Sequence, residues 1–365
     1  MRSLILIATC LMLSACADRI TAPIQPEAIN APNTRQIFVV TNRERNAEGY
    51  LATSRNADLV YLDTTVSIPP SHTAGEAPTF SPKPDPLKHF VIAKETPLAS
   101  LPELAKKVSA SLSGTPRRDR EVTVFVHGFY NTYQDSLFRI AQLQNDFDMP
   151  GTVVNFAWAS AGSPLGYAHD RESALFSRDD LERTLRALAK SNSDRLLLVG
   201  HSLGTFLITE TLRQIEHKEP GWTARNIDAL ALISPDMPVD LFLRNLEPFD
   251  ALPESTVILT STEDSALRLS SRINRSSQRL GQLSNPDVLA DLPVIVFDVS
   301  SFTDGSSNHM TFAESPALIA LLRDARSFDD LLAPEDSNFL LRQAERVRVS
   351  NEAIAIQVSG PSGGT

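Results

Sequence analysis

The chain is 365 residues long, 42% hydrophobic and 21% charged, an ordinary globular composition that excludes a disordered or collagen-like polypeptide. Asp and Glu outnumber Lys and Arg by 44 to 34, and the net charge of -10 argues against nucleic acid as a partner, because an acidic surface repels phosphate backbones. No run reaches the roughly 20 apolar residues of a bilayer-spanning helix, which excludes a multi-span helical membrane protein.

In chain order, the first feature is an address. Arg2 gives a short positive region, residues 4–13 are apolar, and Leu13-Ser14-Ala15-Cys16 follows. This tetrapeptide resembles the lipobox of bacterial lipoproteins, which implies a signal peptide over residues 1–15 and a diacylglyceryl thioether on Cys16. The mature chain then retains one cysteine, itself acylated, and no intramolecular disulfide is available. Ala17 rather than Asp follows that cysteine, which favours the outer membrane of a Gram-negative-type envelope, with the body facing the periplasm. Residues 16–35, polar and carrying Pro23, Pro26 and Pro32, read as a flexible tether.

Strands are expected at 36–41, 58–62 and 90–93. The six prolines between residues 69 and 86 make that stretch an ordered loop or clamp rather than a sheet centre. From 121 onwards a regular alternation sets in. Near-continuous apolar runs at 121–126, 152–157, 195–199, 228–234, 255–261 and 294–299 fit parallel strands covered on both faces. Helices are expected at 132–147, at 178–190 with Ser177 as its cap and Asp180 as capping-box partner, at 203–216, and from Pro316 behind Ser315. Strand–helix units in series predict one doubly wound α/β domain over 36–325, its mostly parallel sheet flanked by helices on both faces. Residues 326–365 are expected to be a partly disordered extension.

Directly after the strand at 195–199 stands Gly200-His201-Ser202-Leu203-Gly204, and a helix follows. This is a G-x-S-x-G elbow in its strand–turn–helix setting, with a strained turn that exposes the serine Oγ and glycines where side chains would collide with backbone. The oxyanion hole of such a site takes the N–H of Leu203 and a donor after an earlier strand. The strand at 121–126 runs into His127-Gly128-Phe129, and Phe129 N–H is the natural second donor. Chain order in this fold is serine, acid, histidine. Of the seven histidines only His217 and His309 follow Ser202. His217 ends the helix that starts at the elbow and reads as a helix-terminus charge, which leaves His309, in the loop after the last strand, as general base. His201 reads as a packing residue. Asp264 follows the next-to-last strand and is the first choice for the acid. Asp236, after the strand before it, is the alternative.

These residues make the resemblance specific. The chain is similar to the bacterial α/β-hydrolase family known as domain of unknown function 900, over roughly residues 36–325. The similarity includes Val66 to His72, Asp85-Pro86 before His89-Phe90, His127 to Asn131, Trp158, Ser160, Gly162, Tyr167, Asp170 and Ser173, the elbow, Ser234-Pro235-Asp236, Asp264 and the loop holding His309. It implies the hydrolase fold and a Ser-His-Asp triad and supplies no substrate.

Two side features have two readings each. Arg268, Arg272, Arg275 and Arg279 fall on one stripe of a helical pattern over 265–281, either an anion site or a solvated face. Residues 157–177, with Trp158 and Tyr167, either line the substrate pocket or pack. Metal-ligand spacing, a cysteine pair and a phosphate-binding loop are all missing from the sequence, so neither metal nor cofactor is expected. The expected activity is a membrane-anchored serine hydrolase of carboxylic esters, acting on a small ester or an acyl lipid. A thioesterase, amidase or acyltransferase would use the same triad. The alternative of another class is a non-catalytic envelope lipoprotein that uses the fold as a binding module.

Overall fold

The computed structural model describes residues 22–274, 278–302, 308–324, 344–350 and 353–358. Its strands are β1 (Thr34–Arg45), β2 (Leu51–Ser67), β3 (Val91–Leu98), β4 (Glu121–Val126), β5 (Thr152–Phe156), β6 (Arg195–His201), β7 (Ala229–Ile233), β8 (Ser255–Thr260), β9 (Ile295–Asp298), β10 (Ala344–Ser350) and β11 (Ala353–Val358). The α-helices are α1 (Leu101–Ser111), α2 (Tyr133–Asp146), α3 (Tyr167–Phe176), α4 (Arg178–Leu188), α5 (Leu203–Lys218), α6 (Trp222–Asn226), α7 (Val239–Leu246), α8 (Ser265–Asn274), α9 (Thr311–Glu314) and α10 (Pro316–Asp324). Among the described residues the strands form one sheet in the order β10-β11-β9-β8-β7-β6-β4-β5-β1-β2-β3. From β11 to β1 every neighbouring pair is parallel, and antiparallel pairs add β10 at one edge and β2 and β3 at the other.

Alternation along each strand divides the core in two. Val122, Val124 and Val126 of β4 face the layer built by Leu104 of α1, Leu185 of α4 and Leu207 of α5. Phe125 points the other way, towards Leu137 and Phe138 of α2 and Leu318 of α10. Each such leucine, fully buried, contributes roughly 1.5–3 kcal/mol of transfer free energy. Parallel strands align all their carboxyl ends on one edge, and the loops that carry candidate site residues leave from that edge. The proline-rich segment is held as a clamp: His72 Nε2 lies 2.8 Å from Asp146 Oδ1 at the end of α2. Gly75 N–H donates to Asp146 Oδ2 at 3.0 Å, and Phe80 packs on Phe138.

Three expectations are corrected. The segment 16–35 does not remain a tether throughout, because Ala22 and Ala28 are buried and Gln25 N–H donates to Ile92 O of β3. Within the expected extension, residues 344–350 and 353–358 belong to the sheet, because β11 pairs with β9 and carries β10 with it, covering an edge of backbone groups that would otherwise be open to another chain. Ser177 does not cap α4, since α3 precedes it without a break and its φ and ψ of -82° and -3° are helical. Its hydroxyl instead donates to Ser173 O at 2.7 Å and accepts from Asn42 Nδ2 at 2.8 Å.

Candidate active site

Ser202 stands between β6 and α5 with φ 53° and ψ -121°, a conformation that an L-residue adopts only under constraint from its surroundings. The constraint is crowding. A Cβ on Gly204 would come within 2.3 Å of Val126 O, and one on Gly200 within 2.7 Å of Ile208 Cδ1. A Cβ on Gly128 would reach within 2.8 Å of Ser202 Cβ, so the loop after β4 lies against the candidate nucleophile. Leu203 opens α5, and its N–H is one of the first-turn donors that the helix itself leaves unbonded.

Asp264 and His309 come together from loops 45 residues apart, with Nδ1 of the imidazole 2.7 Å from Asp264 Oδ2. Asp264 is fully buried, and its other oxygen accepts Leu267 N–H at 2.9 Å at the start of α8. Burial alone would lower the pKa of His309, but the hydrogen bond and charge of Asp264 outweigh it and the net shift is upward. The His309 ring lies 4.8 Å from that of His201, the residue before Ser202. His201 Nε2 lies 3.3 Å from His309 O. Burial, with His309 beside it, pushes His201 well below its ordinary value, so it is neutral and packs, with Phe312 on its other side.

Asp236 also stands at the elbow, where its N–H donates to Ser202 O at 3.3 Å, but its Oδ1 accepts Ser270 Oγ–H at 2.8 Å and lies 3.3 Å from Arg279 Nε, and after Asp264 its charge also raises His309. The place of Arg279 overturns the arginine stripe. Helix α8 is described as far as Asn274, Arg279 is extended, with φ -73° and ψ 141°, and buried, Arg268 and Arg272 are exposed, and Arg275 lies outside the described residues. Trp158 lines no cleft: it is fully buried, stacked on His127 at 4.9 Å, and its indole N–H donates to His127 O at 2.7 Å. Burial, with Arg43 nearby, lowers His127 to about 3, so that ring is neutral too. Tyr167 meets Phe129 edge-on at 5.4 Å, and its hydroxyl is 3.2 Å from Ser270 Oγ. Cys16 lies outside the described residues.

A cleft of about 240 Å³ opens beside the pair, with Phe80, Phe129, Phe138, Arg139, His201 and His309 among its walls. A second, apolar groove reaches Glu121 and Arg195, the first residues of β4 and β6, and so runs towards the opposite edge of the sheet. Two buried ionisable residues near the loop after β4, Arg43 and Asp170, were not singled out as site residues by sequence reasoning. Asp170 entered only through the family resemblance. Arg43 had one weak signal, a polar run at the carboxyl end of an apolar strand.

Residues 103–326 match the family described as an α/β hydrolase of unknown function (DUF900). That range holds the elbow, Asp264, His309 and the loop after β4. A search of curated proteins finds no match to the chain.

Proposed function

The chain belongs to this α/β-hydrolase family, and from that premise we propose that it is a membrane-anchored serine hydrolase of carboxylic esters. One observation supports the reading: a buried Asp264–His309 pair packs on His201, the residue before a serine held in the strained elbow conformation. With Asp264 on Nδ1, Nε2 is the atom at which His309 takes the nucleophile's proton. Ser202 Oγ attacks the ester carbonyl as His309 takes its proton, and the N–H groups of Leu203 and Phe129 receive the oxyanion. Collapse breaks the carbon–oxygen bond of the leaving group, which takes the proton from His309. Water, deprotonated by the same imidazole, then releases the acid and restores Ser202.

The cleft beside His309 is lined by Phe80, Phe129 and Phe138, apolar walls that suit the acyl part of an ester. Acylation of Cys16 supplies the anchor in an envelope of Gram-negative type. Six residue steps separate Cys16 from Ala22, a span of at most about 20 Å. Ala22 adjoins Tyr133 and Gln134 at the start of α2, on the carboxyl edge where the site opens, so the anchor keeps that edge close to the bilayer.

The test is hydrolysis of short p-nitrophenyl esters by the purified full chain. Wild type is expected to turn over, with Ser202→Ala at background and His309→Ala reduced by at least about 10³-fold. Turnover that survives Ser202→Ala overturns the assignment.

A further inference from the structure

The loop that carries Phe129 is gripped by two charged side chains with no exposed surface, Arg43 and Asp170. Burying charges in a protein interior costs several kcal/mol each before compensation, and apolar residues of similar volume often replace a buried pair without loss of stability. Their contacts show what the charges accomplish. Arg43 donates through Nη2 to Asn131 O at 2.8 Å, and through Nη1 to Ser160 O at 3.1 Å and Ala52 O at 3.2 Å. Asp170 Oδ2 accepts Ser160 Oγ–H at 2.5 Å and Tyr130 N–H at 3.3 Å, while Oδ1 accepts Ala161 N–H at 2.6 Å and faces His169 Nδ1 at 3.2 Å. Asn131 closes the arrangement: its backbone N–H donates to Ser160 Oγ at 3.1 Å, and its side-chain amide donates to Phe129 O at 2.8 Å and Gly128 O at 3.3 Å.

The carboxylate is the acceptor-only side chain, and Ser160 Oγ–H, Tyr130 N–H and Ala161 N–H all donate to it. An amide would turn one donor against another. Tyr130 is also in the left-handed region, φ 63°, an unfavourable conformation for a side chain of that size. Its N–H bond to Asp170 fixes the peptide next to Phe129. Burial lowers Arg43 to about 10, partly offset by the charge of Asp170, so it stays protonated at neutral pH.

We propose that Asp170 and Arg43, joined through Ser160 and Asn131, are positioning residues that hold the 128–131 loop so that the Phe129 N–H is aimed at the oxyanion formed over Ser202. The inference rests on the serine-hydrolase reading and adds to it a reason for burying the two charges. A group that only stabilises the fold changes melting temperature. A group that aims an oxyanion donor changes transition-state binding without changing ground-state binding.

The experiment uses the full chain with Asp170→Asn, Arg43→Lys and Ser160→Ala. It reads kcat and KM for a p-nitrophenyl ester, Ki for a trifluoromethyl ketone whose serine adduct places an oxyanion in the hole, and melting temperature. The first two variants are expected to lose about 10²-fold in kcat, the size of losing one oxyanion donor. KM should stay within about twofold, and the ketone Ki should weaken by the factor lost in kcat/KM. Ser160→Ala keeps both charges and, should the charge variants fail to fold, still tests the link with an expected loss of about tenfold. Folded variants with wild-type kcat, or a ketone Ki that follows KM instead of kcat/KM, overturn the proposal. If wild type neither turns over esters nor reacts with a fluorophosphonate, the hydrolase reading fails and this one with it. Reactive wild type with unaffected variants removes this one alone.

Discussion

His309 is under two opposed influences, and their balance predicts a pH profile. Burial favours the neutral imidazole, while Asp264 at 2.7 Å favours the protonated one and prevails, so the pKa is raised above 6.5. A general base must be neutral to accept a proton. Activity therefore falls as pH drops through this raised value, and the acidic limb of kcat/KM is expected above pH 6.5. Asp264→Asn removes the largest of the charges that raise it, ahead of Asp236 and Glu314. The limb should move to lower pH, and kcat should fall by about 10⁴-fold, as when the acid of a serine triad becomes an amide. A limb that stays in place in a pH series on Asp264→Asn would show that Asp264 does not act on the titrating base. Ser202, Asp264 and His309 were legible in the sequence because an elbow motif fixes the first and chain order around the strands selects the others. Arg43 and Asp170 were not, because a charged residue carries no local mark of being buried until the segments around it have packed.

At the level of elements, the segment after β8 illustrates how periodicity can mislead. Arginines at spacings of four, three and four suggest one exposed helical face, but Arg279 has extended backbone and pairs with Pro238 in an isolated bridge. Its guanidinium, 1% exposed, thereby faces Asp236. Arg279→Met is expected to destabilise the fold by about 3–5 kcal/mol because it leaves Asp236 buried without its counter-charge. Arg272→Met, at an exposed position, should change stability by less than about 0.5 kcal/mol. Urea unfolding of the two variants distinguishes this from a solvated stripe, for which both would be near neutral. The central strands were legible because parallel strands buried on both faces are runs of Val, Leu and Ile. The pair β10–β11 was not, because six or seven residues with Ala, Gln and Arg among them become a sheet edge only when β9 offers a partner. Ser177 failed as a cap for a similar reason: its spacing to Asp180 is that of a capping box, but the preceding residues are themselves helical.

For the whole molecule, the carboxyl edge unites what the chain distributes. It gathers the elbow, the oxyanion loop, the Asp264–His309 pair and the region where Ala22 meets α2. In the proposed lipoprotein, Cys16→Ala should move the protein from the membrane to the soluble fraction on fractionation while leaving ester hydrolysis intact. Retention on the membrane would remove the anchor. The central claim, that Ser202 is the activated nucleophile of this fold, is tested most directly by treating the purified full chain with a fluorophosphonate and mapping the adduct by peptide mass. The account predicts a single phosphonylated serine, Ser202, with labelling abolished in Ser202→Ala and strongly slowed in His309→Ala. A folded wild type that takes no label, or takes it on another serine, contradicts it.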